Sequence, residues 1–181
     1  MKVLCFGASS SKNSINQQLA SYTGSRLVQF DVELLDLNDY EVPIYSIDRE
    51  AELGIPTQII QFKQKLKASC GVIISFAEHN GAYTAAFKNV MDWTSRIEGK
   101  LWEGKPFFLL ATSPGGRGAI SVLSLAANSF PHMGANVVGQ FSLPNYNQNF
   151  SIEEGITNKE LEAAYEVELS KFIDAIDIKG E

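Results

Sequence analysis

The segments Gly71–Phe76 (Gly-Val-Ile-Ile-Ser-Phe) and Pro106–Thr112 (Pro-Phe-Phe-Leu-Leu-Ala-Thr) are apolar almost without interruption. A strand with one wet face alternates between apolar and polar residues. A short continuous run belongs instead to a strand covered on both faces, the usual state in a parallel sheet. Residues 3–6, 32–37 and 137–143 supply three further strand-like runs. Between the five lie segments with helical character.

Residues 14–27 are expected to form a helix capped by Ser14, with Ile15, Leu19, Tyr22 and Leu27 along one face. Thr57 is expected to cap a helix over 57–68, with Ile59, Phe62 and Leu66 inward and Lys63, Lys65 and Lys67 in solvent. Residues 81–97, 119–130 and 158–176 read as helices, the last placing Leu161, Tyr165, Leu169, Phe172 and Ile176 on its apolar face. Residues 38–56 contain Pro43 and Pro56, several acidic side chains and no clear period, so they read as a long surface loop. Five strands alternating with helices, without internal repeats, imply one α/β domain over 1–181: a doubly wound five-stranded parallel sheet with helices on both faces.

Charge narrows the partners. Fifteen Lys+Arg against 21 Asp+Glu give a net charge of −6, and no basic cluster is present. A binder of nucleic acid or of an anionic membrane needs such a cluster to displace counterions, so neither partner is expected. The two cysteines, Cys5 and Cys70, sit in apolar stretches and support neither a disulfide framework nor a metal site. The first apolar segment is far too short for a signal-peptide core or a membrane span, which points to a cytoplasmic protein.

In a doubly wound sheet, ligands bind beyond the carboxyl ends of the strands where the strand order reverses. Three loops are candidates. Residues 7–14 bring Ser9, Ser10, Ser11, Lys12, Asn13 and Ser14 to a helix N-terminus, where free N–H groups and the helix dipole favour a phosphate monoester. The glycine patterns of P-loop nucleotide and dinucleotide sites are missing there. Residues 77–84 (Ala-Glu-His-Asn-Gly-Ala-Tyr-Thr) offer polar edges for a flat heterocycle, and the imidazole of His79 is a conceivable acid or base. Residues 113–118 (Ser-Pro-Gly-Gly-Arg-Gly) let a backbone approach a ligand closely, with Arg117 available for an anion. No Ser/His/Asp set and no G-x-S-x-G elbow is present.

The stretch from Ala77 to Trp93 resembles the P-E-Y-N-x-S-x-x-x-x-L-K-N-A-I-D-W segment of the NAD(P)H-dependent FMN reductases, flavodoxin-like proteins that include quinone, azo-dye and chromate reductases. Its Lys88-Asn89-x-x-Asp92-Trp93 tail is the specific part. The first loop is similar to the family's G-S-x-R-x-x-S-x-N phosphate loop, with Ser9, Ser14 and Asn16 in register. Ala8 stands for its glycine and Ser11 for its arginine, while Ala77 and His79 replace the proline and tyrosine of the second motif. Losing a charged phosphate ligand costs about 1.5–3 kcal/mol, which Lys12 and the helix dipole are placed to offset.

The resemblance implies FMN as cofactor, with its phosphate on Ser9, Ser11, Lys12, Ser14, Ile15 and Asn16. Its ring would rest against Ala77, Glu78, His79, Asn80, Ser113, Gly115 and Arg117. NADPH or NADH is the implied co-substrate and a small molecule the electron acceptor; the flavin does the redox chemistry, so no side chain is assigned as catalytic and no metal is expected. A homodimer or homotetramer is also implied, with Tyr83, Phe87, Met91 and Trp93 available either for that interface or for packing on the sheet. Two other readings stay open at this level: an electron carrier that docks to proteins, and a flavin-free binding domain.

Overall fold

The computed structural model describes residues 1–177, so the last four residues of the expected 1–181 domain lie outside it. Five parallel strands form one sheet: β1 (Lys2–Ala8), β2 (Asp31–Leu34), β3 (Gly71–Phe76), β4 (Pro106–Thr112) and β5 (Asn136–Leu143), in the order β2-β1-β3-β4-β5. This is the flavodoxin-like architecture expected from the sequence. After β1 the chain moves outward to β2 and returns to place β3 on the other side of β1. The order therefore reverses between β1 and β3, which is where a ligand crevice opens.

Alternation of side chains across each strand divides the core in two. Leu4, Phe6, Val72, Ile74, Phe107 and Leu109 face one layer, while Val3, Cys5, Ile73, Phe108 and Leu110 face the other. The first layer is covered by α3 (Thr57–Ala68), α4 (Ala85–Thr94) and α5 (Ile120–Ser129). The second is covered by α1 (Ile15–Ser25) and α7 (Lys159–Asp177), whose Tyr165, Leu169, Phe172 and Ile176 are buried as the periodicity requires.

Several expectations need correction. The second strand ends at Leu34; Leu35 and Leu37 are buried because the chain turns beneath the sheet into a 3-10 turn, Leu37–Tyr40, capped by the Asp36 carboxylate. The supposed loop over 38–56 also contains α2 (Ile47–Leu53), capped by Ser46. This helix buries no residue, so it carries no apolar period to detect. Pro56, not Thr57, occupies the cap of α3.

Lys63 was expected in solvent, yet it is 2% exposed. Its ammonium donates to the carbonyls of Lys100 at 2.6 Å and Leu101 at 3.1 Å and pairs with Glu103 at 2.6 Å, so its charge is met by the segment before β4. The helix expected over 81–97 begins only at Ala85, with Thr84 as its cap. Phe87, Met91 and Trp93 are buried in the first core layer, Tyr83 packs half-buried beside them, and the Trp93 indole donates to the Pro43 carbonyl at 2.7 Å. Beyond β5, a short helix α6 (Tyr146–Asn149) and a hairpin of β6 (Phe150–Ser151) and β7 (Gly155–Ile156) had no signature long enough to read.

Candidate active site

The first loop is built by the close approach of α1 to β1. A Cβ on Gly7 would lie 2.5 Å from the Gln17 nitrogen, so only glycine allows the helix to sit where it does. The Gly7 N–H donates to Gln17 Oε1 at 2.6 Å, which locks that approach. Past the strand, Ser9 N–H turns back to the Gly7 carbonyl at 2.8 Å, and Ser11 N–H donates to Ser9 Oγ at 3.2 Å. Ser14 caps α1 by accepting from Gln17 N–H at 3.2 Å, as the sequence implied. Among the described residues, the N–H groups of Ile15 and Asn16 have no protein acceptor. Those two donors, on the positive end of a helix and ringed by serine hydroxyls, are the expected partners of a phosphate.

Asn16 itself is a staple. Its side-chain oxygen accepts from Ser75 Oγ at 2.8 Å and from Thr112 N–H at 3.1 Å, and its amide donates to the Thr112 carbonyl at 3.2 Å. With 2% exposure it joins α1, β3 and β4, leaving only its backbone N–H for a ligand.

The second loop is a two-residue hairpin turn. His79 and Ala82 exchange backbone hydrogen bonds at 3.0 and 3.1 Å, and Asn80 and Gly81 both have positive φ, 53° and 76°. Asn-Gly is the pair that tolerates such a turn. Glu78 has a structural duty: its carboxylate accepts from Val122 N–H at 3.0 Å, capping the first turn of α5 from across the crevice. The third loop folds on itself, Gly118 N–H and Asn145 N–H both donating to the Gly115 carbonyl. Tyr146 N–H holds the Ser113 carbonyl at 3.1 Å, and burial pushes the Tyr146 phenol up to about 12. Arg117 turns outward to Ser121 Oγ at 2.9 Å.

The three loops enclose an open cleft of about 240 Å³ at the carboxyl ends of β1, β3 and β4. Of the expected ligand residues, Ser9, Ser11, Ser14, Ile15, Asn16, Ala77, Glu78, His79 and Ser113 line it, while Lys12, Asn80, Gly115 and Arg117 do not. Asn13, Thr112 and Pro114 also line it. Asn13 and Pro114 lie inside loops already singled out, but Thr112 is the last residue of a buried strand and carries no local signal. No group of three or more His, Cys, Asp or Glu among the described residues could hold a metal ion. No described helix is long and apolar enough to cross a membrane.

Ser14→Ala removes both a helix cap and a cleft hydroxyl. The expected result is a loss of about 1 kcal/mol in unfolding free energy and FMN binding weakened by about threefold to tenfold. Chemical denaturation and a flavin-fluorescence titration measure the two separately, and unchanged FMN affinity would place the phosphate elsewhere.

A helix N-terminus with free donors, set at the reversal point of a five-stranded parallel sheet, defines a flavodoxin-like protein. A sequence model of the NADPH-dependent FMN reductases matches residues 1–148, and the chain belongs to that family of oxidoreductases. It is 32% identical over 162 residues to an uncharacterised protein of Mycoplasma pneumoniae, covering 87% of this chain and 95% of the relative. An NADPH azoreductase of a Bacillus species is 30% identical over 138 residues, 76% of this chain and 73% of that one. Among solved structures, the flavoenzyme FerB of Paracoccus denitrificans, an NAD(P)H:acceptor oxidoreductase, superposes with a TM-score of 0.76 at 25% identity, covering 97% of both chains.

Proposed function

We propose that this chain is a single-domain, FMN-dependent NAD(P)H oxidoreductase of the cytoplasm that passes electrons to a small acceptor such as a quinone, a flavin, an azo compound or a metal oxyanion. The observation that carries the reading is the pair of free N–H groups, Ile15 and Asn16, at the mouth of the crevice. They sit beside the hydroxyls of Ser9, Ser11 and Ser14, a donor set that fits a phosphate monoester without an arginine. Bound FMN would supply the redox chemistry, taking a hydride from the nicotinamide and releasing electrons to the acceptor.

The chain's own task is to seat and orient. The cleft edge formed by Ala77, His79 and Ser113 would hold the flat ring, and Glu78 fixes the second loop to the first turn of α5 through Val122. Asn16 keeps the strand ends in register beneath the cofactor. Self-association as a homodimer or homotetramer is part of this reading on the family resemblance, with Phe87, Met91 and Trp93 buried inside the chain rather than available for the interface.

The test is an absorbance spectrum after loading with FMN and desalting, followed by anaerobic NADH or NADPH. A retained flavin band that bleaches is the expected result; a retained band that does not bleach would indicate an electron carrier, and no retained flavin would end the reading. His79 is exposed and spends its backbone on the turn. Accordingly, His79→Ala is expected to bleach at close to the parent rate, far from the roughly hundredfold loss that follows removal of a general acid or base.

A further inference from the structure

A second cleft, of about 390 Å³, opens on the other side of the first loop, between the chain leaving β2 and the start of α4. Ser9 and Ser11 line the cofactor cleft and Ser10 lines this one, so a single ridge of chain separates the two. Tyr40, Val42 and Ala86 give the second cleft an apolar wall; Ser10, Asn38, Glu41 and Asn89 supply its polar side chains, of which Asn89 is already bonded to the backbone of Val42, Pro43 and Tyr45. The Asn38 amide nitrogen is used by Asp36 at 2.8 Å, which leaves its oxygen free. The exposed Glu41 carboxylate has no hydrogen bond or ion pair among the described residues. No lysine or arginine lines this cleft. Lys12 follows Ser11 at the end of this ridge, exposed and likewise unpaired among the described residues, and lines neither cleft.

Cleft, cationic ridge and cleft follow the order of parts in a nicotinamide dinucleotide. Resting on the flavin reading above, we propose that the second cleft is the adenosine subsite of the electron donor, that Lys12 meets the pyrophosphate crossing the ridge, and that Glu41 selects NADH over NADPH. An apolar wall suits the adenine. Acceptor groups without a cation suit a ribose diol, which donates to a carboxylate, whereas a 2′-phosphate would face Glu41 with like charge and no partner. This assigns Lys12, which lies outside the cofactor cleft, to the co-substrate.

The full chain, with and without added FMN, is titrated calorimetrically with ADP-ribose and with 2′-phospho-ADP-ribose. ADP-ribose is expected to bind about tenfold or more tightly than its 2′-phosphorylated form, and kcat/KM for NADH to exceed that for NADPH in the same direction. Glu41→Arg should reverse the preference, Glu41→Gln should narrow it, and Lys12→Ala should weaken both probes alike. Equal affinity for the two probes, binding of neither, or a preference unmoved by Glu41→Arg would overturn the assignment. FMN retained and bleached equally by both donors would remove this inference and leave the proposed function standing. Selective ADP-ribose binding by protein that retains no FMN would end the flavin reading and, with it, the electron-donor role of the second cleft.

Discussion

Gly7→Ala is expected to abolish FMN retention on desalting and to destabilise the fold by about 3 kcal/mol, the upper range for forcing atoms into a packed interior. The added methyl would sit 2.5 Å from the Gln17 nitrogen, 2.7 Å from the Gln17 Cα and 2.9 Å from the Asn16 carbonyl carbon. All three are backbone, so no rotamer change relieves the clash. The first turn of α1 must move away from β1. That displacement carries the Ile15 and Asn16 N–H groups out of the cleft and pulls Asn16 from Ser75 and Thr112. Denaturant unfolding reports the stability, and flavin fluorescence after gel filtration reports retention. Gly115→Ala is the control, since nothing stands within 4 Å of a Cβ there. Parent-like flavin retention by Gly7→Ala would show that the α1 contact does not set the cofactor site.

Lys63→Ala is expected to cost about 3 kcal/mol while leaving FMN affinity unchanged. The ammonium is almost wholly buried and serves the Lys100 and Leu101 carbonyls and the Glu103 carboxylate; truncation strands all three. The contact with Glu103 is an ion pair at 2.6 Å. Glu103 keeps 22% side-chain exposure, so water recovers part of its solvation and the cost stays at the low end for a broken buried pair. Lys63→Met with Glu103→Leu removes both charges and should recover part of the loss. A midpoint equal to the parent's for Lys63→Ala would show that the buried pair contributes nothing net.

Legibility in the sequence followed the type of signal. The α7 face of Tyr165, Leu169, Phe172 and Ile176 was read correctly because each residue reports the same buried side every third or fourth position. Ser14 was read correctly because a cap acts within its own turn. By contrast, α2 was invisible, as an exposed helix has no core face, and Lys63 was misassigned because its partners lie at 101 and 103, far outside any helical window. The Ala77–Trp93 motif located a site loop, but it did not reveal that Glu78 caps α5 or that Asn80 takes a positive φ in the turn.

The sequence by itself determined the alternation of strands and helices, the parallel sheet and the loops that face the crevice. Those properties follow from hydrophobic period and local backbone preference, which act over a few residues. Tertiary structure alone decided which loop side chains are spent on the fold and which stay free: Asn16 and Glu78 are consumed by strand and helix ends, Lys63 is drawn into the core, and Lys12 and Glu41 are left unpaired. Hydrogen-bonding capacity is settled by neighbours in space, and those neighbours come together only when the sheet has closed.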